Sequence, residues 1–387
     1  MKRIQLLPVI YFCIFVIGIG FLSFMNLAGH YINDEPDINE WIPESGSRFE
    51  SDISNNFFAQ FDFVNLNGLM ARATGERELN GVLKLDNGYL TDTSPYFDDD
   101  VLNRNMNMVV AFKDYLAQRG IPLIFAVTPN TSAKYDPQIP AYYYDYGNEN
   151  LDRIASVLRR GGVQVIDLRD ELYTDGIDAY DMMYRTDHHW NTRMGFYAYT
   201  KICDALETQL GCEVDPVVKD IENYNIETYR KWHLGSRGQR TGKYFGGIDD
   251  FDLITPAFDT HLSTVDGEKE GQFRGLLVNT DSLQKKNLTI MRDDVAARST
   301  YDRVLEQSLG DFVNYNSHND KKILVAADSF GKAVLPFLEI SFARVRWEHG
   351  PVYGWLIDEF EPDAVVMIYD ISQEVRDHYF DYSYCVN

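Results

Sequence analysis

The sequence predicts an α/β protein, a mostly parallel sheet with helices on both faces, carrying an insertion and preceded by a transmembrane helix. Three observations predict it. Apolar, strand-like runs alternate with stretches of helical period along most of the chain, the pattern of βαβ units whose strands are buried on both faces. The 387 residues are 45% hydrophobic and 14% aromatic, enough for one large domain or two modest ones and unlike a disordered chain. An uncharged apolar run opens the chain and does not recur at that length.

Lys2 and Arg3 precede that run, Leu6 to Leu27. At 1.5 Å per residue, roughly twenty apolar residues cross a ~30 Å hydrocarbon core. The cations precede the run and Asp34, Glu35 and Asp37 follow it. The positive-inside rule then leaves residues 1–5 as a cytoplasmic tail, makes 6–27 a single-pass anchor and puts the rest outside the cell membrane. A cleaved signal peptide is the alternative, though Asn26-Leu27-Ala28 is a poor cleavage site.

Residues 28–95 read as a stalk and N-terminal hairpin region, the hairpin signalled by Asp86-Asn87-Gly88 between alternating apolar residues. Residues 96–387 read as the α/β domain. Val101, Met106, Val109, Val110, Phe112 and Leu116 share a helical face that stops at Gly120. Strands are expected at 122–127, 163–166, 321–327, 343–347 and 364–369, and helices at 151–158, 191–210, 331–340 and 353–360. Residues 215–315 break this rhythm and read as an insertion with hairpins.

The formal charge of −23 argues against a nucleic-acid partner, since phosphate neutralisation needs a basic face. Four cysteines exclude a disulfide-stapled miniprotein and a multi-thiolate zinc module. Pairing among Cys203, Cys212 and Cys385 stays open.

Chemistry is expected in two places. The strand ending Ala327-Asp328-Ser329-Phe330-Gly331 turns into a helix, so Ser329 can point into the crevice at the carboxyl ends of the strands. The following helix N-terminus offers N–H groups for an oxyanion. Alternatively, Ser329 is a helix N-cap and Asp328 a turn residue. The second place is Asp187-His188-His189-Trp190-Asn191. In an extended loop residues two apart share a face, so Asp187 can orient His189 as a base while His188 points away. The alternatives are a helix entry capped by Asn191 and a metal site, for which neighbouring His residues on opposite faces are poor joint ligands. No metal or cofactor is expected.

Asp187-His188-His189-Trp190 spells the motif of the DHHW family, and the Ser329 block with Leu335-Pro336-Phe337-Leu338 resembles the nucleophile block of the same group. The chain thereby resembles SGNH-hydrolase-like proteins of the AlgX and AlgJ types. Thr128-Pro129-Asn130 with Tyr135, Arg240 to Tyr244 with Asp249-Asp250, and Glu361 to Val366 extend the likeness over about residues 65–369.

The resemblance implies a flavodoxin-like SGNH fold with Ser329 as nucleophile, His189 as base and Asp187 as its orienter. The block begins Ala-Ala-Asp-Ser where Gly-Asp-Ser is typical. Asn130, Arg346 and Tyr135 are candidates for oxyanion or substrate contacts. The activity implied is acetyl transfer onto an exopolysaccharide or wall glycan, with a membrane-bound O-acyltransferase delivering the acyl group. Esterase or deacetylase action through the same triad is one alternative. The other is a non-catalytic glycan-binding subunit using aromatics such as Tyr142-Tyr143-Tyr144 and Trp232.

Overall fold

The computed structural model describes residues 6–33, 57–283, 300–371 and 380–385. Most of the expected stalk lies outside them. The apolar run is a single helix, α1 (Leu6–Asn33), in which Leu7–Gly29 is long and apolar enough to cross a membrane. After it come α2 (Gln60–Thr74) and a small antiparallel sheet of β1 (Glu78–Leu79), β2 (Val82–Lys84) and β3 (Leu90–Thr91). The β2–β3 turn holds Asp86-Asn87-Gly88, as the hairpin signal predicts, with Gly88 at φ 89°.

The central sheet has eight strands in the order β5-β4-β13-β11-β12-β10-β8-β9. Its parallel half comprises β4 (Leu123–Val127), β5 (Gln164–Asp167), β11 (Lys322–Ala327), β12 (Arg344–Glu348) and β13 (Ala364–Tyr369). The pleat sends alternate β4 side chains to two cores. Ile124 and Ala126 join one with α5 (Thr192–Leu210). Leu123, Phe125 and Val127 join the other with α3 (Asp99–Ala117), α4 (Gly147–Arg160) and α9 (Gly354–Phe360). This two-sided burial is why the strands read as unbroken apolar runs.

The insertion differs from expectation. β6 (Tyr224–His233) and β7 (Asp249–Pro256) form a separate antiparallel pair, but β10 (Asp311–Asn314), β8 (Leu262–Thr264) and β9 (Glu270–Gly271) extend the central sheet beyond β12, each antiparallel to the strand before it in that order. These strands are too short for their apolar residues to show a period in the sequence. The helix expected over 331–340 is also divided, into a 3-10 turn at Ser329–Ala333 and α8 (Leu335–Glu339). Pro336 sits in the first turn of α8, where its missing N–H goes unused. All four cysteines are free thiols, and Cys203 is buried. Trp232 is buried too and offers no sugar platform.

Candidate active site

β11 carries Ser329 to the carboxyl edge of the sheet. The apolar strand ends at Asp328, whose carboxylate caps the turn: Oδ1 accepts the Phe330 N–H at 2.9 Å and Oδ2 the Asp370 N–H at 2.8 Å. Burial, and then the charge of Asp370, pushes the Asp328 carboxyl up to about 7. Because Asp328 is the cap, the Ser329 hydroxyl is free for another partner. That partner is His189, whose Nε2 lies 2.7 Å from Ser329 Oγ. The Ser329 N–H, first in its 3-10 turn, has no acceptor within that turn.

Met183 and Trp190 form an isolated antiparallel bridge that closes residues 184–189 into a bent loop. Asp249 holds the near side of this loop, its carboxylate accepting the N–H groups of Arg185 and Thr186 at 2.8 Å each. Arg237, buried on α6 (Ser236–Thr241), donates to the Asp187 carbonyl at 2.7 Å and to Thr131 Oγ1 at 2.7 Å. A Cβ at Gly235 would lie 2.2 Å from that of Asp187, so the close approach of these two segments requires glycine. On the far side Trp190 Nε1 donates to the Phe330 carbonyl at 3.1 Å, and Asn191 caps α5. The helix entry capped by Asn191 is therefore present.

The bend changes the expected facing of the histidines, because alternation belongs to extended chain. His188 does not point away: its ring centroid is 3.8 Å from that of His189, and its Nδ1 is 3.0 Å from Asp187 Oδ1 and 2.8 Å from Ser236 Oγ. His189 Nδ1 is 3.4 Å from the same Asp187 oxygen, an ion-pair distance at which the buried Nδ1 makes no hydrogen bond. Asp187 Oδ2 accepts 2.8 Å from Nε2 of His233, a fully buried residue at the end of β6. Tyr301, on α7 (Thr300–Leu305), stacks on the His189 ring at 4.2 Å and donates to the Ser329 and Phe330 carbonyls.

His233, Ser236, Arg237 and Tyr301 were not visible as site residues. They come from the irregular segment 215–315, where single polar residues carry no spacing signal.

Burial alone would raise the Asp187 carboxyl, but His189, His188 and His233 hold it well below the ordinary carboxylate range. For His188 the Asp187 hydrogen bond outweighs burial, and its imidazole is raised. His189 is lowered, by burial first and then by the neighbouring His188 charge. A lowered imidazole favours the neutral form, the one able to accept a proton.

The other candidates sit elsewhere. Asn130 and Tyr135 line a cleft of about 230 Å³ whose walls include Tyr173, Tyr180 and Arg169 but neither Ser329 nor His189. The Asn130 Nδ2 packs against Gly147, and no hydrogen bond joins it to Ser329. Tyr135 stacks on Tyr173 at 4.1 Å and donates to Asp170 at 2.7 Å. Arg346 pairs across from Leu324, below the strand ends, and its guanidinium bonds to Glu348 and Glu359.

Among the described residues, Asp187, His188 and His189 bring three ligand atoms within 4.8 Å of one another, so opposite facing does not argue against a metal here. The donor chemistry does: Asp187 already accepts from the His188 N–H, Ser236 and His233, and His189 Nε2 faces Ser329. A cation would have to displace these donors.

This geometry is that of an α/β protein in which a serine and an imidazole meet at the carboxyl edge of the central sheet. Residues 89–227 match the family model described as SGNH hydrolase-like domain, acetyltransferase AlgX, a stretch that includes Asp187 and His189 and ends before Ser329. Among solved structures the chain is similar to Bacillus cereus PatB1 at 18% identity and TM-score 0.55, over 78% of this chain and 99% of that one. A second PatB1 structure, with a sulfonyl adduct, matches at 19% identity and TM-score 0.55, over 77% and 97%. A DHHW family protein from Eubacterium siraeum matches at 18% identity and TM-score 0.56, over 78% and 94%. At these identities the likeness is one of fold. No curated protein matches the chain.

Proposed function

We propose that this chain is a membrane-anchored, extracytoplasmic serine O-acetyltransferase acting on a cell-surface or secreted glycan. The observation that carries the reading is the 2.7 Å contact between Ser329 Oγ and the Nε2 of a buried His189 whose lowered imidazole favours the neutral form. The match to an acetyltransferase family model and the likeness to DHHW and PatB1 folds support it. So does α1, a candidate anchor.

In this reading Ser329 Oγ attacks the carbonyl carbon of an activated acetyl ester or thioester, and His189 Nε2 takes the hydroxyl proton. Asp187 steadies the imidazolium. The Ser329 N–H and the following turn face the oxyanion. As the tetrahedral species collapses, His189 returns the proton to the leaving alcohol or thiol, and acetyl-Ser329 remains. A glycan hydroxyl then attacks, giving its proton to His189, which hands it to Ser329 Oγ. A membrane-bound O-acyltransferase is the proposed acyl source. Water in place of the sugar would make the same site an esterase.

The experiment is acylation of the detergent-solubilised chain by p-nitrophenyl acetate, followed by peptide mass spectrometry. Acetyl mass on Ser329, lost in Ser329→Ala and unchanged after chelation, is the expected result. Turnover that survives Ser329→Ala, or that chelator abolishes and zinc restores, would replace it with metal-dependent hydrolysis by the Asp187–His188–His189 cluster.

A further inference from the structure

Helix α2 buries one face and leaves a second apolar face bare. Inward, Asn65 Oδ1 accepts the Lys243 N–H at 2.9 Å, and Ala71 packs with Val82, Leu90 and Phe245. Gly68 brings the two backbones together: a Cβ there would lie 2.1 Å from the Thr241 carbonyl oxygen. Outward, Phe63, Leu66, Leu69 and Met70 are 40%, 52%, 46% and 60% exposed, and Phe57 and Phe58 continue the patch. Positions 63, 66 and 70 form one stripe by helical spacing. An amphipathic surface helix turns polar residues outward, so an apolar stripe of this extent marks an interaction surface. The helix carries two charges, Asp62 and Arg72, which cancel.

The chain itself names the partner. The Phe58 N–H donates to Ser23 Oγ of α1 at 2.9 Å. Ser23 precedes Gly29, the end of the apolar stretch, by ~9 Å of helix at 1.5 Å per residue. Interfacial helices bury their apolar face about 5–10 Å into the boundary between headgroups and acyl chains, the same depth.

We infer that α2 is an interfacial helix, its Phe63–Leu66–Met70 stripe immersed in the outer leaflet, which seats the globular body on the bilayer. The inference rests on the anchor reading above and adds a second, peripheral contact to it. Its balanced charge suits a zwitterionic surface. Through Thr241 it abuts the helix whose Arg237 holds the Asp187 carbonyl, so docking α2 fixes the site relative to the membrane. A site held in this way can meet an acyl group that emerges from the same bilayer.

The test uses the full chain in phosphatidylcholine nanodiscs, comparing Leu66→Trp and Met70→Trp with the wild type. The difference emission from the added tryptophan is expected to lose most of its intensity when the acyl chains are brominated. Water-exposed, unquenched emission overturns the inference. Blue-shifted but unquenched emission overturns it equally, because protein, a second copy of this chain included, then covers the stripe. If the wild type does not enter the discs the anchor reading fails; entry without quenching sinks the interfacial helix alone.

Discussion

Asp187 is the most heavily contacted side chain of the site, and its three histidines do different work. His188 carries charge toward His189, and that charge is the second cause of the lowered His189 imidazole. A base with a lowered value stays neutral to lower pH, so the acid limb of acylation by p-nitrophenyl acetate is expected below the ordinary histidine value of about 6.5. Replacing His188 by Gln removes the repelling charge, and the limb should move upward in a plot of kcat/KM against pH. An unmoved or lower limb would contradict the assignment. His233 has another task, since its Nε2 donates to the Asp187 oxygen on the side away from His189. His233→Ala leaves a buried carboxylate oxygen short of one hydrogen bond, a loss of about 1–3 kcal/mol. We expect acylation to slow through kcat with KM nearly constant, and His233→Gln, which keeps a donor, to recover part of the rate. Equal rates in the wild type and both variants would show that His233 does not position Asp187.

At the scale of elements, legibility followed periodicity. β4, β11 and β13 announced themselves because both of their faces are buried, and α3 and α5 because one face is. The serine and the Asp-His pair were readable because each sits at the end of such an element. The bend at 185–189 was not, for it is held by distant partners that no local pattern reveals: Asp249 accepts the Arg185 N–H, and the Gly235 N–H donates to Thr186 Oγ1. Element α8 hides another case. Glu339 lies in an apolar stretch, is 1% exposed, and neither of its carboxylate oxygens has a hydrogen-bond partner. Burial raises its carboxyl well above the ordinary range. The folded chain therefore holds this proton more tightly than the unfolded one. Its contribution is unpenalised below the unfolded value, and stability falls as pH rises from there toward the folded value. Glu339→Gln keeps the shape without the ionisation. Thermal unfolding should then show a higher Tm than wild type at pH 8 and a smaller difference at pH 5; a difference independent of pH would refute the buried acid.

Over the whole molecule, the carboxyl edge of the sheet carries two features side by side. Ser329 follows β11, and the loop after β4, two strands away, carries Asn130, Lys134 and Tyr135 into the tyrosine-walled cleft. Arg237 ties them together, bonding Thr131 of that loop and the Asp187 carbonyl with the same nitrogen. The cations at the cleft are already spent: Lys134 pairs with Asp152 and Asp170, and Arg169 with Asp167 and Asp152. An anionic ligand would find no free positive charge in those two residues. Tyr135 and Tyr173, 53% and 65% exposed, offer instead the flat apolar surface that suits the C–H face of an uncharged pyranose. If the proposed acceptor runs along this edge, the tyrosines grip a sugar some distance from the hydroxyl that reacts. Such remote binding affects only reactions in which the sugar takes part. Tyr173→Ala and Tyr135→Ala should therefore raise the concentration of neutral oligosaccharide needed for half-maximal acetyl transfer, by roughly tenfold for a loss of 1.4 kcal/mol. Acylation of Ser329 by p-nitrophenyl acetate should be unchanged in the same variants. Loss of both activities together would mean that the cleft supports the catalytic loop, and loss of neither would place the acceptor on another surface.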